Sequence, residues 1–311
     1  MKEKIFWASI LIIIVSYIGN YVYFQSKQLD APIFLEHFYE LTMNEEDETA
    51  LIFYYLTNKS DTSTANYVMI NGIGNYPVSN NDFYMWESQA PKFEQEYTHH
   101  YLKTLYITLP TEYEGDGPLS FSEMEVHFSN GITVQADIGE VVLRKRTENP
   151  DVLETRMSSG SNQHTAETLM VTNQPITIEK IEIPFAKDLP DNVLIKVDRE
   201  QEKLRELEKP MEVSDYPEWF AKEGDKEWNE LPGVLLSEDL LPFNLEQNEY
   251  IRFLMQFNPE RESYFQYSIK LSGKTESGEE FVTEIPIIDH PYLDQKAINQ
   301  IIKTKKSGES E

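Results

Sequence analysis

The stretch Ile5–Phe24, IFWASILIIIVSYIGNYVYF, holds twenty residues and not one charge. At about 1.5 Å per residue, a helix of that length crosses the ~30 Å hydrocarbon layer of a bilayer. No other property of the chain narrows its architecture as much. Lys2 and Lys4 precede the run. The positive-inside rule therefore predicts residues 1–4 as a cytoplasmic tail and residues 5–24 as a transmembrane signal anchor lying in the lipid bilayer. A connector at 25–32 follows, and everything beyond it is expected outside the cell membrane, as in any single-pass protein with a cytoplasmic N-terminus. Trp7 falls near the inner interface, and Tyr17, Tyr21, Tyr23 and Phe24 gather toward the outer one, where amphipathic rings favour the headgroup layer. A cleaved leader fits poorly, because cleavage wants small residues at −3 and −1. Cutting after Ser16, Gly19 or Ser26 would put Ile14, Tyr17 or Phe24 at −3. Asn20 reads as a residue hydrated at the depth of the outer headgroups, ahead of the alternative that it hydrogen-bonds to a neighbouring helix.

Charge and cysteine usage limit the rest. Setting aside Lys2, Glu3, Lys4 and Lys27 leaves 24 bases against 53 acids from Leu29 onward, a net −29. A field of that sign repels nucleic acid, anionic lipid and anionic wall polymers. It is also expected to hold the body of the protein off the headgroups. The chain has no cysteine, which excludes disulfides, thiolate metal sites and lipoprotein processing.

After the connector the pattern becomes period two. Ile33–Leu41 and Ala50–Thr57 are rich in aromatic and branched residues and read as strands. Between them, Asn44–Glu48 reads as a solvated acidic turn rather than a calcium loop, since it lacks spaced Asp ligands. Asn66–Asn71, Asp82–Trp86 and Tyr97–Leu109 follow as strands. His99 and His100 are adjacent, so on a strand they point to opposite sides and cannot chelate one ion together. In Phe121–Ile138 a three-residue loop, Ser129-Asn130-Gly131, pairs Phe128 with Ile132 and Val126 with Val134. That register puts both apolar faces on one side and needs Gly131 in the left-handed region.

Thr147–Gln163 is polar, contains Ser158-Ser159-Gly160-Ser161, and reads as a linker. Strands resume at Thr165–Thr172, Val193–Val197, Tyr250–Phe257, Tyr264–Leu271 and Phe281–Ile287. In Ile176–Phe185 the apolar phase slips, which predicts a bulge near Glu179-Lys180. Residues 199–230 interrupt the strands. They comprise a helix-favouring stretch, Arg199–Lys209, and an aromatic group, Tyr216, Trp219, Phe220 and Trp228. Those rings are the candidate partner surface, because exposed Trp and Tyr dominate hot spots. The competing reading has them cap the open end of a sandwich. From Pro291, Leu293, Ala297, Ile298, Ile301 and Ile302 form one apolar helix face, with Asp289 as its cap. Docking back on its own domain is the expected fate of that helix, ahead of docking on a partner or a membrane surface.

The fold expected is therefore mainly β: an N-terminal transmembrane helix, then antiparallel β-sandwich domains at 33–147 and 163–290. A linker at 148–162 separates them, and a C-terminal helix and tail at 291–311 follow. The strand grammar, the strands ending in Thr-Asn before polar turns (Thr57-Asn58, Thr172-Asn173) and the lack of cysteine resemble the Ig-like ectodomains of single-pass membrane-anchored proteins of low-G+C Gram-positive bacteria. The resemblance implies two Ig-like sandwiches. It carries over no binding residues, because the disulfide cysteines and core tryptophan of antibody domains are missing.

No catalytic serine elbow, zinc-binding helix, phosphate loop or dinucleotide fingerprint occurs. No catalytic residue, metal ligand or cofactor is assigned. Asn58-Lys59-Ser60 matches a glycosylation acceptor, a triplet common by chance. The function expected is a noncatalytic extracytoplasmic binding or scaffolding role with a protein partner at the envelope and none with nucleic acid. A cell-envelope enzyme with a site of scattered residues is one alternative, and a divalent-cation module exploiting the acidic charge is another.

Overall fold

The computed structural model describes residues 2–43, 49–77, 93–109, 117–145, 150–161, 164–186, 192–208, 217–224 and 226–308. The acidic run at 44–48, the strand expected at 82–86 and Tyr216 lie outside them. The chain is mainly β, with one apolar helix at its N-terminal end. That helix, α1, covers Lys2–Ser26. It is long and apolar enough to cross a membrane, with a mean hydropathy of 1.9 and no part of its most apolar window buried in the protein.

The first strands are β1 (Ile33–Phe34), β2 (His37–Met43), β3 (Thr49–Asn58), β4 (Ala65–Ile70), β5 (Ile73–Asn75), β6 (Gln95–Glu96), β7 (His100–Leu109), β8 (Leu119–Phe128) and β9 (Thr133–Lys145). Then come β10 (Leu153–Ser161), β11 (Thr165–Thr172), β12 (Ile176–Glu182) and β13 (Val193–Asp198). Two short helices, α2 (Gln201–Leu204) and α3 (Glu218–Glu223), precede β14 (Val234–Leu235), β15 (Phe243–Leu245), β16 (Tyr250–Phe257), β17 (Tyr264–Thr275) and β18 (Glu280–Asp289). Helix α4 (Gln295–Gly308) is last.

The strands form three sheets. One has the order β1-β3-β7-β6, and another β10-β11-β16-β13-β14. The third has nine strands, ordered β15-β12-β17-β2-β9-β8-β4-β5, with β18 on the other edge of β17. One large core lies between the four-stranded sheet and β2, β9, β8 and β4, with Phe53, Leu105, Val126 and Leu143 among its members. A second lies between the five-stranded sheet and β12, β15, β17 and β18, with Ile178, Phe253, Phe265 and Ile285.

Local patterning accounts for much of this. Val126 faces Val134, the Phe128 N–H donates to the Ile132 carbonyl at 2.9 Å, and Gly131 has φ +84°, as the three-residue loop requires. The register of β12 against β17 shifts between Ile178 and Lys180, where the apolar phase slips. Ile251, Phe253, Met255 and Phe257 of β16 all enter the second core.

Long-range pairing departs from expectation. Ile33–Leu41 is not one strand: the chain bends at Leu35-Glu36, so β1 joins the four-stranded sheet while β2 crosses into the nine-stranded one. There β2 pairs parallel with both β17 and β9, so the sheets are not purely antiparallel. This makes β2 a seam, with Tyr39 in the first core and Phe38 in the second. The stretch read as a linker instead forms β10, paired along its length with β11. Its polar, largely exposed pattern hid it, because an edge strand is held by backbone bonds that any side chain permits.

The seam is polar at its centre. His37 is fully buried, its Nδ1 within 3.3 Å of the Ile138 carbonyl and its Nε2 accepting from the Tyr54 N–H at 3.0 Å. Tyr264 and Tyr54 flank it and stack on each other at 4.0 Å. Burial pushes the imidazole down to about 3, so it is neutral. Three residues on, the buried Glu40 carboxylate pairs with Arg144 of β9 and Lys270 of β17. Gly139, with φ +85°, lies opposite His37, where an added Cβ would sit 2.4 Å from the His37 carbonyl oxygen.

Both sequence extremes of the β region fasten to the first core. Leu29 is already buried, and the Asn58 amide accepts from its N–H and donates to its carbonyl, each at 2.8 Å. Asn58 is therefore committed to this clamp rather than presented as a glycan acceptor. The body begins three residues past the end of α1, so the expected stand-off from the membrane is not built into the connector. Helix α4 docks through Ala297, Ile298, Ile301 and Ile302 onto the first core, joined by Leu293 just before it. Its cap is Asp294, which accepts from the Ala297 N–H at 2.8 Å. Asp289 belongs instead to β18, where it pairs with Arg261 and lies 3.3 Å from His164 Nδ1.

Candidate functional site

The insertion covers the outer face of the five-stranded sheet. Alternation sets that face: with Ile251 and Phe253 turned inward, Tyr250, Arg252 and Leu254 of β16 point out. Leu169 and Val171 of β11 lie on the same side as Tyr250, and Leu204 and Leu207 of the insertion pack on them as a small third core. The thin apolar stripe of Arg199–Lys209 is thus used in full.

Arg252 is the centre of the polar half of this face and is 2% exposed. Its Nε donates to Glu167 Oε2 at 2.9 Å, and its Nη2 pairs with the same oxygen. Its Nη1 donates to Glu223 Oε2, on α3, at 2.7 Å. Burial opposes its charge, yet Glu167 and Glu223 outweigh burial and hold it above its ordinary value. Phe220 covers the guanidinium at 5.1 Å from the ring centroid. Beside it, Lys196 donates to the Trp228 and Leu231 carbonyls at 2.7 and 2.8 Å and lies 5.1 Å from the Trp228 ring centroid.

Arg252, Glu167, Glu223, Phe220, Trp228 and Leu231 help wall a cavity of about 220 Å³. Phe220 and Trp228 line one side; Ser159, Gly160 and Ser161 of β10 and Thr165 of β11 line the other. Among the described residues, its charged lining residues are Glu167, Glu223, Lys226 and Arg252, whose formal charges cancel. The site therefore offers ring faces, hydroxyls and a fixed ion network, without net charge among the described residues to select an ion. Among the described residues, no group of three His, Asp or Glu is placed to hold a metal.

Of the four rings singled out in the sequence, Phe220 and Trp228 meet at this cavity. Trp219 does not line the cavity: its Nε1 donates to Glu206 at 2.8 Å and its ring packs against the third core. Tyr216 falls outside the described residues. The three described rings cover a sheet face rather than the open end of a sandwich. Sequence reading missed Arg252, Glu167 and Glu223. The signal was present: Arg252 and Glu167 each interrupt an apolar strand, YIRFLMQF and TAETLMVT. No family model matches the chain, and no curated protein matches it in sequence.

Proposed function

We propose that this chain is a noncatalytic binding or scaffolding protein, held in the cell membrane by α1 with its N-terminus cytoplasmic, which engages a protein partner outside the cell through the cavity beside Arg252. The observation that carries this reading is the cavity itself. At about 220 Å³ it is smaller than the roughly 300–1,000 Å³ of small-molecule sites. That volume suits one inserted side chain of a protein partner, ringed by contacts that exclude water. The cancelled lining charges favour a neutral, polar or aromatic side chain. Lys2 and Lys4 before α1 support the orientation. The pairing of sheets around two large cores supports a reading as two sandwich modules of Ig-like kind, fused through the nine-stranded sheet.

A photo-crosslinking residue at Lys226, on the cavity rim, tests the reading in intact cells against a control at the exposed Glu280. The expected result is a discrete adduct from position 226 alone, lost on Trp228→Ala. Adducts of the same kind from both positions, or from neither, would refute a partner at this site.

A further inference from the structure

Helix α4 differs in charge from its surroundings. Its fourteen residues hold Lys296, Lys303, Lys305 and Lys306 and no acid, in a chain of formal charge −27. With its apolar side sunk in the first core, Lys296 and Lys303, seven residues apart, share the exposed side with Asn299 and Gln300.

Both ends of α4 border the exit of α1. At one end Gln295 accepts from the Thr98 N–H at 2.8 Å, and the next residue, His99, sets its ring edge-on to Tyr23 and Phe24, each at 6.1 Å. At the other end Lys306 Nζ donates to the Gln28 carbonyl, two residues past α1, at 2.9 Å. The link between α1 and the body has no slack, since three extended residues reach only about 10 Å and Leu29 is already clamped. The α4 end of the body is thus kept where α1 emerges.

Several acids around this base are engaged, while Asp30 and Glu94 are exposed and make no ion pair among the described residues. Asp294 caps α4, Asp137 and Glu36 lie 2.9 and 3.8 Å from Lys305, and Glu96 pairs with Lys59 at 2.5 Å. Lys27, Lys296 and Lys303 are exposed and make no ion pair among the described residues. The global −29 does not decide what this surface meets, because charges beyond about 8 Å are screened at physiological ionic strength.

We infer that α4 seats the protein on its own membrane: Lys27, Lys296 and Lys303 contact anionic lipid headgroups of the leaflet from which α1 emerges. The inference rests on the reading of α1 as a membrane span. Each lysine held near an anionic leaflet favours it by roughly fivefold, so two substitutions produce a measurable change.

The test is hydrogen exchange on the full chain, reconstituted in phosphatidylcholine vesicles with or without phosphatidylglycerol. The expected result is α4 amides that exchange several-fold more slowly when phosphatidylglycerol is present, with the difference abolished by high salt. The double variant Lys296→Gln/Lys303→Gln should lose that difference while matching the parent protein in phosphatidylcholine alone, which shows that it still folds. Equal exchange in the two lipids would overturn the seat. Failure of the protein to float with either vesicle would instead remove the membrane span beneath it.

Discussion

Two of the places where this molecule buries charge are built differently. At the seam, Glu40 is held between Arg144 and Lys270, and His37 has a partner for each ring nitrogen inside a shell of rings. On the outer face of the five-stranded sheet, Arg252 is as thoroughly paired, yet its network forms the wall of a cavity of about 220 Å³. Buried charges and displaced pKa values are often taken as marks of function. Here both places have displaced pKa values, so displacement alone does not mark a site, and the open volume beside Arg252 is the further sign.

The sharpest way to break the comparison is to remove charge at the cavity. Arg252→Ala leaves Glu167 and Glu223 without their cation and should cost about 3–5 kcal/mol in urea unfolding. The triple variant Arg252→Met/Glu167→Gln/Glu223→Gln should regain most of that stability yet still lose the partner adduct. A triple variant that captures the partner normally would show that the network serves folding alone.

Gly139→Ala attacks the seam. It combines an unfavourable φ with a clash on the His37 backbone, and a loss of roughly 3 kcal/mol is expected. A loss below about 1 kcal/mol would mean that β2 and β9 separate freely and that the seam is not rigid.

A milder probe is pH. The His37 imidazole lies at about 3 in the fold against 6.5 when free, displaced chiefly by burial. The unfolded chain therefore binds the extra proton between these values. Stability contributed by neutral His37 is complete above about pH 6.5 and falls by about 1.4 kcal/mol per pH unit down to about pH 3. Burial lowers His100 and His290 as well, which adds to the same slope. His37→Gln, which cannot titrate, should flatten the curve by about one proton; an unchanged slope would assign the acid sensitivity elsewhere. The smallest effect on stability is expected from Trp228→Ala. Its ring is half-buried at the cavity rim, so the cost should stay near 1 kcal/mol while the adduct disappears.

What the sequence disclosed follows the range of the interaction. The hairpin at Gly131, the slip at Ile178–Lys180 and the apolar face of α4 are written in neighbours a few residues apart. The seam is not, since β2 meets Gly139 and Tyr264 across more than a hundred residues each, and parallel pairing leaves no turn signature. β10 escaped because its side chains do not report its pairing. At the cavity, the rings stood out by type, whereas Arg252 and Glu167 required knowing which face of their strands had become an inner surface.

The placement of β2 also has a mechanical consequence. Strands β17, β2 and β9 are joined by successive backbone hydrogen bonds within one sheet. A pull on the cavity side of the molecule reaches the foot of α1 through those bonds loaded in shear, with no flexible tether between to absorb it. Under the proposed reading, in which α1 spans the membrane and a partner binds at the cavity, the body acts as a stiff lever that converts displacement of the partner into torque at the bilayer.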